Sequence, residues 1–265
     1  MVGSPQLVKA WLEGDWNVIE GAFFNWDQHR HVVAPFTVPD DWSRFRSMDW
    51  GYASPNSVGW WAIVPDPYTA RNLNGDNVIL PRGCMVRYRE WYSVAGRLTA
   101  EQIALGILDR ETDLEKKLKL QGVVDPSAFK EDGGPSHGER MATAGVHFRP
   151  ADNKRVSGRT DGSGPLGGWD QMRSRLNGDE QGRPMIVCFS TCTDSIRTIP
   201  VLQHDPDRPE DLDTEAEDHA ADDWRYACMS RPYLPALPDK PKPKLHNDYV
   251  QRIISADEPE DMMVM

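Results

Sequence analysis

The clearest indication of the fold is in residues 44–64, RFRSMDWGYASPNSVGWWAIV, where two strand patterns flank a turn-rich centre. The first segment, RFRSMD (44–49), alternates apolar or small residues with charged or larger ones. The second, SVGWWAIV (57–64), is almost fully apolar, which is typical of a strand buried on both faces. A polar stretch at 66–77, which contains Asn74 and Gly75, predicts a loop, and alternation returns in the last portion of residues 78–93. The sequence therefore predicts three successive strands in an antiparallel meander.

After this meander, helical and strand patterns are mixed along the chain. Thr99 and Gln102 form a capping-box pattern at the start of a helix predicted over 99–113. Later segments predict, in order, a short apolar run at 119–125, a helix at 139–144, a short strand at 144–148, helices at 169–176 and 194–202 around a buried strand at 185–190, and a last helix at 213–229. On the last helix, a stripe with three- and four-residue spacing predicts the packing face; it comprises Ala221, Trp224, Ala227 and Cys228. This order predicts an α/β domain with a mixed β-sheet flanked by helices, and it fits the ribonuclease H-like arrangement.

The net charge of −11 over 265 residues is unevenly distributed. Residues 205–223 hold ten acidic residues and one arginine, so this window contributes −9 and the rest of the chain only −2. Phosphate binding elsewhere on the surface therefore stays compatible with the composition. No stretch approaches the roughly 18 apolar residues of a membrane span, and four cysteines in a chain of this size indicate reduced thiols rather than a disulfide framework.

Four aspartates stand where chemistry is possible. Asp49 ends the first strand, and Asp125 ends the later apolar run, where the following proline disfavours helical geometry. Asp218 and Asp222 lie four residues apart on the last predicted helix and therefore share a face. Each also has a structural interpretation, as a turn or capping residue or as part of a solvated acidic face. If they converge, two divalent ions between them would clamp a phosphodiester and generate the attacking hydroxide.

Five motifs in order give a resemblance to a known family. Together they resemble the nuclease domain of the large terminase subunit of tailed bacteriophages, over residues 8–235. The resemblance implies a ribonuclease H-like fold and an endonuclease that cuts concatemeric genome DNA at the start and end of head filling. The motifs are WLEGDW (11–16), RSMDWGYASPNSVGWWAIV (46–64), GVVDPSAF (122–129), ADNKRVSG with GWDQMRSRL (151–176) and EDHAADDWRYA (217–227).

The resemblance also assigns roles to the aspartates. Asp49 matches the first metal ligand and Asp125 the second acid, with Mg²⁺ or Mn²⁺ as the implied ions. Asp222 and Asp218 both match the third acid, and the choice between them stays open. His219 beside them either positions water or lies on the helix surface.

Contacts to DNA are harder to place from sequence. Lys154, Arg155, Arg159 and Arg173 flank a glycine-rich segment and its following helix, and they are candidates for reading phosphates without sequence preference. An ordinary solvated surface explains them equally well. Glu90 on the third strand is a candidate fourth carboxylate, although a strand-surface charge is the favoured interpretation.

The family's large subunit also carries an amino-terminal ATPase, and this sequence has no G-x-x-x-x-G-K-[ST] motif. We therefore expect residues 1–42 to be an arm that follows an ATPase, 43–232 the nuclease domain, and 233–265 a flexible proline-rich and acidic tail. Within the arm, the pattern predicts a helix at 5–20 and irregular structure at 24–42. The implied partners are double-stranded DNA, the ATPase domain of the same terminase, the portal protein and the small terminase subunit. The implied location is the host cytoplasm, at the procapsid and not in a membrane.

Two other classes of function remain. Another ribonuclease H-like nuclease, such as a Holliday-junction resolvase, would be expected to be basic, which the charge of −11 disfavours. A non-catalytic module that docks the packaging motor on the portal would use its acidic residues for solubility alone.

Overall fold

A mixed β-sheet lies at the centre of the computed structural model, which describes residues 21–51, 55–93, 97–131, 133–158 and 166–233. Within these ranges, seven strands follow the order β1-β9-β6-β3-β2-β7-β8, and β4 pairs with β5 in a separate hairpin. The strands are β1 (Val32–Val33), β2 (Arg44–Asp49), β3 (Asn56–Ile63), β4 (Tyr68–Arg71), β5 (Asn77–Leu80), β6 (Met85–Ser93), β7 (Gly122–Val124), β8 (Phe148–Pro150) and β9 (Ile186–Phe189).

The predicted antiparallel meander is confirmed as β2, β3 and β6. The later strands extend it in parallel on both sides, with β7 on β2, β8 on β7, and β9 on β6. The sheet is therefore mixed, and the predicted α/β class is confirmed. The helix expected at 5–20 and the tail beyond Tyr233 lie outside the described residues.

Two predictions for the first half of the chain were wrong. Residues 24–42, expected to be an irregular arm, contain a one-turn helix and strand β1, whose Val32 pairs with Cys188 of β9. A two-residue strand is too short to show a period, so only its partner reveals it. Residues 66–77, expected to be a loop, contribute most of the β4–β5 hairpin, in which Gly75 adopts a φ of 87° at the turn.

Helices cover both faces of the sheet, and most begin at a capping residue. Thr99 and Gln102 form the predicted capping box of α2, but that helix ends at Arg110, and Thr112 caps a separate helix. The helices are α1 (Gln28–His31), α2 (Ala100–Arg110), α3 (Asp113–Leu118), α4 (His137–Thr143), α5 (Gly168–Asn177), α6 (Thr193–Thr198) and α7 (His219–Ser230).

The last helix begins later than predicted. The sequence pattern indicated a start at Asp213, whereas α7 starts at His219 with Asp218 in the N-cap position. The segment before it is held in turns, because the Asp213 carboxylate accepts a hydrogen bond from the Glu215 amide at 2.9 Å. Asp218 is therefore not on the helix itself but at its N-terminus.

Helix α7 packs on β2, β3 and β7, and its buried face is the one the sequence predicted. Its Trp224 ring lies edge-on to Trp61 of β3, with ring centroids 5.1 Å apart. The stripe with three- and four-residue spacing is fully buried; it comprises Ala221, Trp224, Ala227 and Cys228. In the described part of the chain, no helix has the length and apolar character needed to cross a bilayer.

A buried ion pair ties α7 to three strands of the sheet. The Asp223 carboxylate lies 2.7 Å from Nη1 of Arg87 on β6, and both side chains are inaccessible to solvent. Ser57 of β3 donates to the same carboxylate at 2.9 Å, and Ser47 of β2 donates to its other oxygen. Such a pair is costly to break, because removing one partner leaves a buried charge uncompensated.

Gly59 provides the space for this pair. A Cβ at this position would lie 2.0 Å from Nη1 of Arg87, so we expect Gly59→Ala to displace the guanidinium and lower the free energy of unfolding by about 3 kcal/mol. Urea denaturation measures the change. Gly134→Ala is the control, because a Cβ there meets nothing within 4 Å and stability should hardly change. Equal midpoints for the two variants would contradict the role of Gly59.

Candidate active site

Two of the candidate aspartates meet at one edge of the sheet. Asp49 is the last residue of β2, and Asp125 directly follows β7, which runs parallel to β2 as its neighbour. The Asp125 amide donates to the Met48 carbonyl at 3.2 Å, so the two strand ends are joined by a backbone hydrogen bond. The carboxyl ends of neighbouring parallel strands thus bring both side chains to the same place.

Helix α7 adds two more carboxylates beside them, completing a group that we call the acidic cluster: Asp49, Asp125, Asp218 and Asp222. Asp222 lies in the first turn of α7, and its amide donates to the Asp218 carbonyl at 2.9 Å. Burial raises the pKa of Asp49 to about 7, and the negative charges of Asp222 and Asp125 act in the same direction. Burial and the charge of Asp222 also raise the pKa of Asp218 to about 6.

His219 is held against the first of these carboxylates. Its Nδ1 lies 2.9 Å from Oδ2 of Asp49, and the histidine side chain is 23% exposed, so protons can reach the pair from solvent. The hydrogen bond to Asp49 raises the pKa of His219. The carboxyl and the imidazole therefore share a proton near neutral pH in the absence of another cation.

Asp125 is in a different electrostatic state. Its Oδ1 accepts from the Ser127 amide at 2.6 Å, and its Oδ2 accepts from the Tyr226 hydroxyl. Although burial acts in the opposite direction, these hydrogen bonds hold the pKa of Asp125 below its usual value. Asp125 is therefore ionised at neutral pH and fixed in orientation.

Two arginines neutralise the helix side of the cluster. Arg225, one turn along α7, places Nε and Nη2 each 2.7 Å from Oδ1 of Asp222. Arg155 lies 3.9 Å from Asp222 and 4.0 Å from Asp218, and its Nε donates to Asp211 at 2.9 Å. Arg155 is one of the candidate DNA contacts from the sequence, and in the structure its guanidinium group lies against carboxylates.

The other candidate DNA contacts have varied surroundings. Arg173 pairs with Asp170 at 3.2 Å, and its guanidinium carbon lies 3.9 Å from the centre of the Phe23 ring. Lys154 is half-buried, and its carbonyl accepts from the Gly168 amide at 2.9 Å. Arg159 lies outside the described residues.

Glu90 lies apart from the acidic cluster. Its carboxylate accepts from the amides of Asp194 at 2.8 Å and Ser195 at 3.1 Å, at the start of α6, and Arg87 lies 3.3 Å away. Glu90 therefore stabilises the start of this helix and the buried charge of Arg87.

The residues that orient the acidic cluster and anchor α7 were not predicted from the sequence. Arg225 and Tyr226 stand in the RY pair of the EDHAADDWRYA motif, three and four residues after Asp222, a spacing that places their side chains near it on a helix. One feature of the sequence could have indicated the ion pair of Asp223 and Arg87, namely the glycine at the start of GWWAIV. A glycine within a central strand often marks a place where another group lies close to the backbone.

The donor chemistry of the acidic cluster fits a hard divalent ion, because carboxylate oxygens are the ligands that Mg²⁺ and Mn²⁺ take. Within the described ranges, however, no group of three or more histidine, cysteine, aspartate or glutamate side chains is arranged so that it could hold an ion. The oxygens are bonded instead to Arg225, His219 and Tyr226. Holding an ion would therefore require small shifts that bring the carboxylates closer together.

Comparison with known proteins supports the fold. No protein-family model matches the chain, and no curated protein matches its sequence. The nuclease domain of the P22 large terminase matches in structure with a TM-score of 0.55 and 18% identity, over 80% of this chain and 93% of that one. The large terminase of a thermophilic bacteriophage matches with a TM-score of 0.57 and 21% identity, over 83% of this chain and 47% of that one. The chain thus spans less than half of the thermophilic phage protein. Both matches confirm the expected ribonuclease H-like fold of terminase nuclease domains.

Proposed function

We propose that this chain is a metal-dependent DNA endonuclease of a viral genome-packaging terminase. The observation that carries the proposal is the placement of Asp49 and Asp125 at neighbouring strand ends, beside the first turn of α7 that holds Asp222. Burial, and then the negative charges of Asp222 and Asp125, raise the pKa of Asp49. A cluster of like charges at one edge of a sheet is unfavourable by itself and becomes favourable around divalent cations. The likeness in fold to terminase nuclease domains points to the same chemistry.

In this proposal Asp49, Asp125 and Asp222 hold two Mg²⁺ or Mn²⁺ ions, and Asp218 is a further ligand or orients water. The ions supply Lewis acidity toward the phosphodiester that is hydrolysed. We assign Asp222 as the direct ligand because it lies in the first turn of a packed helix, whereas Asp218 precedes that helix.

The surrounding side chains then act as positioning residues. Ser127 and Tyr226 fix both oxygens of Asp125, and Arg225 directs Asp222. His219 keeps Oδ2 of Asp49 oriented through its Nδ1, and its imidazole would take up the proton that the Asp49 carboxyl gives up to bind a cation. These contacts reduce the rotamer freedom that the carboxylates would lose on binding an ion.

The remaining assignments follow from the same proposal. The substrate is concatemeric double-stranded DNA, cut with little sequence preference. The partners are the ATPase domain of the terminase, the portal protein and the small terminase subunit, in the host cytoplasm at the procapsid. Within the chain, residues 43–232 form the nuclease domain, 1–42 the arm that follows the ATPase, and 233–265 the proline-rich and acidic tail. Lys154, Arg155, Arg159 and Arg173 stay candidate DNA contacts.

Metal titration separates this proposal from the docking module. Calorimetry with Mn²⁺ should give saturable binding to the wild-type chain, and Asp49→Asn with Asp125→Asn should abolish it, since the two strand-end ligands are then gone. Asp66→Asn with Asp207→Asn is the charge-matched control, because both residues are exposed and lie outside the acidic cluster. Binding that is absent, or that survives the double substitution, would favour a module whose acidic residues serve solubility.

A further inference from the structure

Two arginines lie close together on the face of the sheet that carries the acidic cluster. Arg149 of β8 pairs in register with Val123 of β7, and Val123 packs against Tyr226 of α7, so Arg149 projects from the α7 face. The Arg231 guanidinium carbon lies 4.7 Å from the centre of the Phe45 ring. Phe45 and Asp49 are separated by an even number of positions on β2 and therefore project from the same face.

These arginines differ from the others near the cluster by lacking a counter-charge. Arg155, Arg173 and Arg225 each pair with an aspartate. Within the described residues, by contrast, neither Arg149 nor Arg231 has a carboxylate within 4.0 Å, and both are exposed. Both arginines line one small cavity together with Phe45 and Val123, so their side chains lie near each other. Adjacent, unneutralised cations favour an anion between them.

The positive surface continues past Arg231 into a cavity of about 590 Å³. Arg82 and Arg175 line this cavity together with Arg231, and no acidic residue is among its described lining residues. The Arg175 residue is only 3% exposed, and its Nε has no hydrogen-bond partner in the described part of the chain, while its Nη1 donates to the Met185 carbonyl at 3.2 Å. A buried guanidinium without a carboxylate leaves net positive potential in the cavity.

We propose that Arg149, Arg231 and Arg82 form a phosphate-binding track that holds the DNA backbone leading away from the acidic cluster. The proposal rests on the function proposed above and names the residues that position its substrate. It adds unpaired arginines that the fold assembles to the candidate backbone contacts that the sequence singled out. Arg175, which is buried in the wall of the cavity, adds to the positive potential of the track.

The spacing along the strands suits a nucleic-acid backbone. Arg149 pairs with Val123, two residues before Asp125, which corresponds to about 7 Å along β7. Phe45 beneath Arg231 lies four residues before Asp49, which corresponds to about 13 Å along β2. Because each DNA strand carries one phosphate per roughly 3.4 Å of helix axis, these offsets correspond to a few phosphates from the cut.

Binding of a short fluorescein-labelled DNA duplex, measured by anisotropy in EDTA over a salt series, tests the track. For Arg149→Gln combined with Arg231→Gln, we expect affinity about tenfold weaker at physiological salt and a log–log salt slope smaller by about 2, because two phosphate contacts are lost. Arg71→Gln with Arg208→Gln is the matched control, since both arginines are exposed and the same charge is removed. Arg231→Lys keeps the charge and should restore binding if folding is intact.

Equal weakening in the two double variants, or no weakening in either, would overturn the track. A polyglutamate competitor distinguishes a protein partner: loss of polyglutamate binding with unchanged DNA binding would also overturn it in favour of an acidic polypeptide. The readout needs no cleavage, so the two proposals can fail separately. If the wild-type chain does not cut DNA but the salt slope falls only in the track variant, the track stands and the nuclease proposal fails.

Discussion

Asp49→Asn is expected to reduce cleavage of supercoiled plasmid in Mn²⁺ by at least about a thousandfold, and Asp125→Asn should do the same. Each substitution keeps the shape of the side chain and removes the negative charge that would hold a divalent ion. Loss of several kcal/mol of transition-state stabilisation corresponds to a rate loss of this size. The control is again Asp207→Asn, which should cut at the wild-type rate.

The same two variants should move protein stability in opposite directions when metal is removed. The pKa of Asp49 is raised from 3.8 to about 7 on folding, so its protonated form contributes stability that is fully present below pH 3.8 and is lost as the pH rises through 7. An asparagine side chain cannot ionise, so the Asp49→Asn variant does not lose this stability as the pH rises. In EDTA, the thermal midpoint of Asp49→Asn should therefore exceed that of wild type by a few degrees at about pH 8, with a smaller advantage at about pH 5.

Asp125 has the reverse dependence. Its pKa is lowered on folding by the Ser127 and Tyr226 hydrogen bonds, so its ionised form stabilises the fold above the unfolded pKa and this contribution is lost in acid. Asp125→Asn should therefore melt below wild type at neutral pH. A variant of either residue that cuts plasmid at the wild-type rate would remove that residue from the site.

The second large effect separates the two acids at the start of α7. We expect Asp222→Asn to abolish plasmid cleavage in Mn²⁺, about a hundredfold or more, and Asp218→Asn to reduce it about tenfold, which are the effects expected of a direct ligand and of an orienting group. Asp222 lies on the helix next to the packed stripe, whereas Asp218 is in the N-cap position and its side chain makes no capping hydrogen bond. Circular dichroism verifies the helix in both variants.

Each alternative outcome has a definite meaning. Normal cleavage by Asp222→Asn together with an inactive Asp218→Asn would reverse the assignment. Normal cleavage by both would mean that this helix supplies no ligand, and the role implied by the family resemblance would then be wrong for α7.

Local patterns predicted the parts of the fold that local physics determines. The alternation in RFRSMD and the apolar run SVGWWAIV predicted β2 and β3, because burial on one or both faces leaves a direct trace in sequence. The Thr99 capping box predicted the start of α2 for the same reason. Strand β1 was not predicted because a pattern cannot repeat within two residues. The β4–β5 hairpin was not predicted because it is mostly exposed and therefore lacks a periodic pattern of apolar residues.

The candidate site depended on information that no local pattern contains. Sequence placed Asp49 and Asp125 at strand ends, but their meeting depends on the parallel pairing of β2 with β7 across more than seventy residues of chain. Composition likewise could not separate a paired arginine such as Arg155 from an unpaired one such as Arg149. The start of α7 was misplaced because acidic residues favour both turns and the first turn of a helix.

Conversion of supercoiled plasmid by the wild-type chain, compared in Mn²⁺ and in EDTA, shows whether the acidic cluster is a metal-dependent nuclease centre. We expect nicked and linear DNA in Mn²⁺, intact plasmid in EDTA, and intact plasmid with Asp49→Asn in Mn²⁺. Intact plasmid with the folded wild-type chain at saturating Mn²⁺, or cleavage that persists in EDTA, would contradict a metal-dependent nuclease centred on Asp49, Asp125 and Asp222.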